Sequence, residues 1–132
     1  MLKRSTQALA EQLTVSSADS KSTRAVKNQK FTALLAPDFV GTLELNHFNE
    51  EIDYDEATTG HQYLTQSCES SQTSITDIEI ISITDSSASI TAVFEMSVSI
   101  KGGRTYSEPA SASMTWKKTD GNLWKLERLI LK

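Results

Sequence analysis

Acid–base chemistry in this chain would depend first on His61, because an imidazole exchanges protons close to neutral pH. His61 follows Gly60 at the beginning of a predicted helix, where it could act as a general base or as a polar contact for a ligand. No second histidine or cysteine is spaced to join it in a metal site, and the spacing shows no Ser–His–Asp set. The simpler interpretation is a surface or helix-capping histidine, and it is the one we adopt.

Acidic side chains gather around the other histidine, His47. They are Glu44, Glu50, Glu51, Asp53, Asp55 and Glu56. Oxygen ligands at this density would suit a hard cation such as Ca²⁺ or Mg²⁺. Alternation places Ile52 and Tyr54 toward the interior, and it therefore directs Asp53 and Asp55 outward. Since acidic residues are mostly exposed, we interpret the stretch as a solvated loop and predict neither a metal site nor a cofactor.

Large apolar residues recur at one parity along the C-terminal half of the chain. They are Phe94, Met96, Tyr106, Met114, Trp116 and Trp124. Such a row is typical of a packed core, and it would equally line a conical apolar pocket with a few polar points. Glu108 and Arg128 share the inward parity, so either could anchor a substrate, or the two could pair with each other. Pro109 is the residue type that marks a bulge or an edge, which would change the parity of Glu108.

The chain has 132 residues and a formal net charge of −4. This length suits a single domain over residues 1–132 that buries roughly two-thirds of its unfolded surface. An acidic balance argues against non-specific nucleic-acid binding, which needs clustered basic charge. The single cysteine, Cys68, excludes an internal disulfide, and no apolar run approaches the length of a membrane span. Residues 5–12 are too polar for the apolar part of a signal peptide, so we expect a cytoplasmic protein.

Two helices begin the set of elements that would position these residues. Leucines near one stripe predict a first helix over residues 5–13. Asp19 or Ser20 can cap a second helix by accepting backbone N–H bonds, and that helix runs to about Ala36. Pro37 ends it, because proline disfavours helical geometry in the residue before it.

A long antiparallel meander dominates the rest of the chain. Before it come a strand over residues 39–45, a loop over 46–51, a short strand with Ile52 and Tyr54, and a helix from Thr58 or Thr59 to about Ser70. The meander consists of four strands over residues 73–84, 88–101, 104–118 and 122–131. Gly102-Gly103 and Asp120-Gly121 supply the positive φ values that hairpin turns need. Alternation along these strands predicts one Ser/Thr-rich face and one buried face, which the helices must cover.

Three short motifs carry a resemblance to a known superfamily. They are Leu34-Leu35-Ala36-Pro37-Asp38-Phe39-Val40, Gly60-His61-Gln62-Tyr63-Leu64 and Trp124-Lys125-Leu126-Glu127-Arg128. With the order of elements, they resemble the helix-to-strand passage, third helix and closing strand of NTF2-like proteins, also described as SnoaL-like or cystatin-like. The resemblance covers nearly the whole chain. It implies an α+β cone, in which three helices of the N-terminal half pack on a curved, mixed, mainly antiparallel sheet of about six strands.

Ketosteroid isomerases are similar in layout and provide a sharp test of function. They use a carboxylate base on the first strand and a protonated carboxylic acid on the fifth. Matched to this chain, the base position falls on Leu43, and Glu44 points to the other face. The acid position falls on Ala112, or on Ser111 if Pro109 makes a bulge. We therefore predict that the chain lacks this isomerase mechanism.

The superfamily includes isomerases, dehydratases, epoxide hydrolases, polyketide cyclases and non-catalytic modules, so three functions stay open. The first is binding of an apolar or aromatic small molecule by Tyr63, Met96, Tyr106, Met114, Trp116 and Arg128. The second is a SnoaL-like lyase or isomerase that uses His61, Tyr63 or Asp38 as acid or base. The third is a non-catalytic assembly module. The resemblance also implies a homodimer through the Ser/Thr-rich sheet face, with an apolar centre of Val93, Leu123, Leu129 and Leu131.

Overall fold

A computed structural model describes residues 2–45, 49–100, 104–119 and 123–132. The helices are α1 (Leu2–Gln12), α2 (Lys21–Leu34) and α3 (Tyr54–Ser67). The strands are β1 (Leu35–Glu44), β2 (Asn49–Asp53), β3 (Cys68–Ile83), β4 (Ser87–Ile100), β5 (Arg104–Thr119) and β6 (Leu123–Leu131). They form one six-stranded sheet in the order β2-β1-β6-β5-β4-β3. Among the strands of the described residues, β1 and β6 are the one parallel pair, so the predicted mixed, mainly antiparallel α+β architecture is confirmed.

The core lies between the helices and the inner face of the sheet. The strand residues that fill it are Ala88, Ile90, Ala92, Phe94, Ala110, Ala112, Met114, Trp116 and Leu126. The helices and β1 contribute Leu2, Leu9, Phe31, Leu35 and Phe39 to the same cluster. Ala88 pairs with Trp116 and Ile90 with Met114, which aligns the buried rows of β4 and β5. The parity predicted for these two strands is therefore confirmed.

The third helix begins four residues earlier than its predicted cap, because Asp53 caps it. The Asp53 carboxylate accepts the Glu56 backbone N–H at 2.9 Å. The Glu56 carboxylate in turn accepts the Asp53 N–H at 3.3 Å, which completes a capping box. Tyr54 therefore starts a helix instead of continuing a strand. The second helix also ends before its predicted limit, at Leu34, and Pro37 lies inside β1.

A bulge in β6 reverses the predicted parity of its second half. Trp116 pairs with Leu126 whereas Thr115 pairs with Arg128, so Glu127 is an extra residue between them. An extra residue moves every later side chain to the opposite face. The prediction that Arg128 points inward is therefore wrong, because Arg128 lies exposed on the outer face. The prediction that Leu129 and Leu131 lie on the outer face is wrong for the same reason, since both pack against the core.

The register around Pro109 supports the prediction that the chain lacks the isomerase mechanism. Pairing between β4 and β5 runs without interruption, and Pro109 lies opposite Glu95 without a bulge. Ala112 is buried on the inner face, which leaves no carboxylate at the matched acid position. At the matched base position Leu43 pairs with Leu131 on the inner face, so the adjacent Glu44 faces outward as predicted.

Candidate functional site

His61 lies buried where the three helices meet, with 4% of its surface exposed. Its Nε2 is 2.7 Å from the Gln12 carbonyl at the end of α1, and its Nδ1 is 2.9 Å from the Asn28 side-chain nitrogen on α2. The ring stacks on Phe31, with centroids 4.2 Å apart and planes 6° from parallel. The histidine therefore connects all three helices, and the prediction that it lies at the surface is wrong.

The hydrogen bonds of His61 determine which nitrogen carries the proton. A backbone carbonyl only accepts, so Nε2 donates to Gln12, and Nδ1 accepts from the Asn28 amide. Burial of the ring lowers the pKa of His61 below its usual value, while the bond to the Gln12 carbonyl partly opposes that shift. The ring is thus neutral near pH 7, and both nitrogens are already bonded within the protein.

The other two acid–base candidates lie far more exposed than His61. Tyr63 is on α3 with 72% of its surface exposed. Asp38 is on β1 with its side chain 62% exposed, and its carboxylate is 3.9 Å from the Lys117 ammonium. Neither side chain shares a hydrogen bond with His61 in the described residues. Their catalytic role stays a prediction.

The acidic stretch around residues 44–56 has identifiable partners instead of a shared centre. Asp53 and Glu56 cap α3, and Glu44 lies 3.7 Å from the Lys132 ammonium. Glu50 and Glu51 are exposed on β2. His47 lies outside the described residues. Among residues 2–45, 49–100, 104–119 and 123–132, no group of three His, Cys, Asp or Glu side chains is arranged to hold a metal ion.

The side chains predicted to line a conical pocket are packed or lie elsewhere. Trp116 has 0% exposure and Met114 is buried, while Met96 is half-buried farther along β4. The Trp116 indole N–H is buried without a hydrogen-bond partner. The Tyr106 side chain lies outside the description, and Arg128 faces the other side of the sheet. Their role as a ligand set stays a prediction.

A groove of about 760 Å³ lies between α1, α2 and β3, and we call it the α1–α2 groove. Its apolar wall includes Ala10, Val26 and Ile75. Its polar lining consists of Gln7, Glu11, Gln12, Thr14, Ser22, Thr23, Lys27, Lys30, Thr73 and Ser74. Its volume is in the range of small-molecule sites in proteins.

Two of the polar lining residues differ in their hydrogen bonding. The Lys27 ammonium is 2.9 Å from the Asp19 carboxylate and donates to the Thr14 carbonyl at 2.6 Å. The Asp19 pKa is lowered, first by the Ser16 backbone N–H that the carboxylate accepts and then by Lys27. Thr73 is only 6% exposed, and its hydroxyl has no hydrogen-bond partner. Of these two residues, Lys27 is thus satisfied within the protein and the Thr73 hydroxyl is not, while Lys30 and Glu11 add one charge of each sign to the lining.

A second groove, of about 840 Å³, lies between α2 and α3, and we call it the α2–α3 groove. Its lining is mainly amide and hydroxyl side chains, including Asn28, Gln29, Gln62 and Gln66. Arg24 belongs to this groove, but its two terminal nitrogens are bonded within the fold. Its guanidinium donates to the backbone carbonyls of Ser16, Thr65, Cys68 and Glu69 at 2.8–3.0 Å.

Sequence reasoning missed both grooves and the residues that define them. Arg24 binds backbone carbonyls, which carry no residue-type signal. Asn28 and Thr73 gain their importance only from neighbours distant in sequence, His61 and Thr14. The Ser20 cap was the one available local signal, because it fixes the start of α2 and hence the face that carries Arg24.

Comparisons with known proteins agree with this fold. No protein-family model matches the chain, and no curated protein matches it significantly in sequence. A solved protein from Novosphingobium aromaticivorans, named for a proposed aromatic ring hydroxylase activity, superposes with a TM-score of 0.79 at 12% identity, over 99% of this chain and 85% of that one. A proposed dehydratase of the NTF2-like family from Streptomyces avermitilis gives 0.72 at 14% identity, over 98% and 91%. The association domain of CaMKII from C. elegans gives 0.70 at 14% identity, over 99% and 92%.

These similarities define the chain as a protein with the NTF2-like fold. The predicted three helices on a six-stranded mixed sheet are confirmed, and the sheet stays open. At identities of 12–14% the likeness concerns the fold alone. No helix in the described residues is both long and apolar enough to span a membrane.

Proposed function

We propose that this protein binds an apolar or aromatic carboxylic acid in the α1–α2 groove and does not catalyse a reaction on it. The observation that carries the proposal is the composition of the groove. Ala10, Val26 and Ile75 supply an apolar wall, and a buried, unpartnered Thr73 hydroxyl adjoins it. An apolar body with one polar end matches a site built in this way.

Lys30 supplies the charge that favours an acid. The neighbouring Lys27 is already neutralised by Asp19. Lys30 also lines the groove, and no carboxylate of the described residues lies within ion-pair distance of it. An exposed ion pair contributes up to about 1 kcal/mol, so Lys30 would discriminate a carboxylate from a neutral analogue by a few-fold.

The absence of catalysis is proposed because the acid–base candidates do not converge. A general base needs a free lone pair within hydrogen-bond reach of the substrate proton. Both His61 nitrogens are bonded within the protein, and Tyr63 and Asp38 extend into solvent.

The proposed aromatic ring hydroxylase and dehydratase activities of the structural neighbours support a small organic ligand for this fold.

A thermal-shift screen tests the proposal with benzoic and cyclohexanecarboxylic acids and their neutral amides. A ligand that binds only the folded state raises the melting temperature by mass action. Val26→Trp should fill the α1–α2 groove and abolish the shift. Ala25→Trp is the matched control, because it fills the α2–α3 groove from the adjacent position. Met96→Trp instead adds bulk to the inner face of the sheet, where the sequence predicts the pocket, and it distinguishes binding there from binding in the α1–α2 groove.

Charge is tested separately in the same assay. Lys30→Gln should weaken binding of the acids by a few-fold and leave the amides unchanged, while Lys30→Arg should retain it. Lys21→Gln removes a lysine from the other groove and should have no effect. If no acid shifts the wild type, or if Met96→Trp alone removes the shift, the ligand does not occupy the α1–α2 groove.

We also propose that the protein forms a homodimer through the outer face of the sheet. On that face Lys125 and Arg128 lie on β6 and Glu95 lies on β4, while Lys117 on β5 is already paired with Asp38 and Glu127. A two-fold axis between β4 and β6 would place Lys125 and Arg128 of one copy over Glu95 of the other. The similarity to an association domain supports self-assembly.

Small hydroxyl residues and Val93, which is exposed, would form the centre of this contact. Sedimentation at micromolar concentration should give a dimer mass, and Val93→Lys should give a monomer, whereas Val26→Lys on α2 should not. Glu95→Lys should weaken the dimer, and adding Arg128→Glu should restore it. A monomer mass at every concentration would exclude the dimer.

A further inference from the structure

Strand β3 forms one edge of the sheet, and its first half is covered by the N-terminal segment of the chain. Val15 exchanges both backbone hydrogen bonds with Ser71, at 2.8 Å each. The Thr14 hydroxyl accepts the Thr73 N–H at 3.1 Å, and its single proton lies between the Ala10 carbonyl at 3.0 Å and the Thr73 carbonyl at 3.4 Å. The Gln7 amide donates to the Ile75 carbonyl. Residues 71, 73 and 75 therefore each have a backbone group on the side away from β4 that is hydrogen-bonded to the N-terminal segment.

The second half of the edge, residues 77–83, has no such cover among the described residues. The hydrogen bonds that protect the first half end at Ile75. Three isoleucines are also exposed here, Ile80 at 43%, Ile81 at 60% and Ile83 at 58%. Register shifts between Thr76 and Glu79 and between Ile80 and Ser82 make two bulges in this half, and Ile81 is left out of the register with β4. Ile80 pairs with Ile90 and Ile83 with Ala88, both inner-face residues, so Ile80 and Ile83 extend the apolar face past the helices. The edge is thus interrupted, and its unpaired backbone beside exposed isoleucines is a template for a short segment of another strand.

The charge of this edge restricts what can add to it. The sequence from residue 62 to residue 100 contains five acidic residues and no lysine, arginine or histidine. Glu79 is one of the five and pairs with Thr91, so it lies on the outer face while Ile80 and Ile83 lie on the inner face. Asp77 and Asp85 flank the isoleucines along the chain. The open half thus presents apolar groups on one face and negative charge on the other.

We propose that residues 77–83 bind an extended segment of a partner protein in which basic and apolar residues alternate. The segment would add to the sheet beside β3 through backbone hydrogen bonds. Its apolar side chains would share the inner face with Ile80 and Ile83, and its lysines or arginines would share the outer face with Glu79. Same-face neighbours on adjacent strands are the contacts that stabilise a sheet.

A second copy of this chain is the wrong occupant for the open edge. Pairing β3 with another β3 would bring acidic residues together, because each carries Asp77 and Glu79 on this stretch. The opposite edge of the sheet, β2, has the sequence Asn-Glu-Glu-Ile-Asp and would also repel it. Like charges on adjacent strands are destabilising. The partner must therefore carry the basic residues that both edges of this chain lack.

Binding of synthetic peptides tests the proposal on the intact wild-type chain. The probe is a short blocked peptide that alternates lysine with valine, and glutamate replaces lysine in the comparison peptide. Fluorescence anisotropy should detect the lysine peptide and not the glutamate peptide. N-methylation of alternate peptide bonds on the edge-facing side should weaken binding by about tenfold or more, because it removes the backbone donors. Equal binding of the methylated peptide would overturn strand addition.

Variants of the edge locate the binding site. Glu79→Lys should weaken the lysine peptide by about fivefold and favour the glutamate peptide, whereas Glu69→Lys makes the same charge change in the covered half and should not. Ile80→Ser with Ile83→Ser should also weaken binding, and Tyr63→Ser on α3 should not. Circular dichroism verifies that each variant is folded. Binding that is absent in wild type, or equally insensitive to both charge variants, would overturn the proposal.

Discussion

Replacing His61 by phenylalanine tests whether the three-helix junction depends on its polar contacts. Phenylalanine retains a ring that can stack on Phe31 but leaves the Gln12 carbonyl and the Asn28 amide without their partner. An unsatisfied buried polar group costs about 1–3 kcal/mol. The Asn28 amide still reaches the Thr58 carbonyl at 3.4 Å, so the cost of removing its bond to His61 is near the lower limit of this range. We therefore expect His61→Phe to lower the free energy of unfolding by about 2–4 kcal/mol.

The same variant should change how stability depends on pH. The pKa of His61 is lowered in the folded state, because burial disfavours the charged ring. The unfolded chain therefore binds the proton more readily, and the free energy of unfolding falls as pH falls below the usual value of 6.5. Above that value the contribution is fully present. The slope can reach about 1.4 kcal/mol per pH unit until the folded-state pKa is passed.

Urea unfolding followed by tryptophan fluorescence between pH 7.5 and pH 5 measures both effects. The free energy of unfolding of wild type should fall as the pH is lowered across this window. That of His61→Phe should be lower at pH 7.5 but nearly independent of pH. His47→Gln is the control, because it removes the only other histidine. Asp19 does not interfere, because its pKa is lowered in the folded state. Its contribution to the free energy of unfolding is therefore lost only below its usual pKa of 3.8. Parallel curves for wild type and His61→Phe would refute the role assigned to this ring.

Three further substitutions test the packing, and urea unfolding measures each of them. Trp116→Ala should cost about 3–5 kcal/mol because the indole is fully buried, and a cost below about 1 kcal/mol would mean that it borders open space. Arg24→Lys keeps the charge but loses the planar fork that reaches four carbonyls, so we expect a loss of about 2 kcal/mol, and no loss would contradict that geometry. Asp53→Ala should cost about 1 kcal/mol through loss of the α3 cap, and Asp55→Ala, exposed in the same turn, should cost nearly nothing.

The long strands could be predicted because their signal is local. In β4 and β5 the side-chain period of two is set by the backbone, so the sequence alone distinguishes Ile90 and Met114 from their outward neighbours. In β6 the same rule failed after Glu127, because a bulge depends on how two strands fit together and leaves no residue-type signal. Arg128 was misplaced for that reason alone.

The candidate sites were less predictable than the strands, because each depends on contacts between distant segments. A histidine at the exposed start of a helix and a histidine under Phe31 have the same local sequence. Only the earlier start of α3, capped by Asp53, moves His61 two turns into the helix and against α2. The α1–α2 groove likewise requires α1 and β3 to meet, which the contacts of Thr14 with Thr73 bring about.

The way this interior is filled bears directly on catalysis. An acid–base enzyme of this fold needs a titratable group that faces a space open to substrate. Here the inner-face residues Phe94, Met114 and Trp116 are all buried, and Met96 beyond them on β4 is half-buried. Both ring nitrogens of His61 are hydrogen-bonded to groups on the other two helices. A substrate could reach that imidazole only by breaking the bond to Asn28, and that same bond helps to keep α2 and α3 in place. Acid–base chemistry at His61 would therefore compete with the packing of the helices, and the binding proposed for the α1–α2 groove would not require the bond to Asn28 to break.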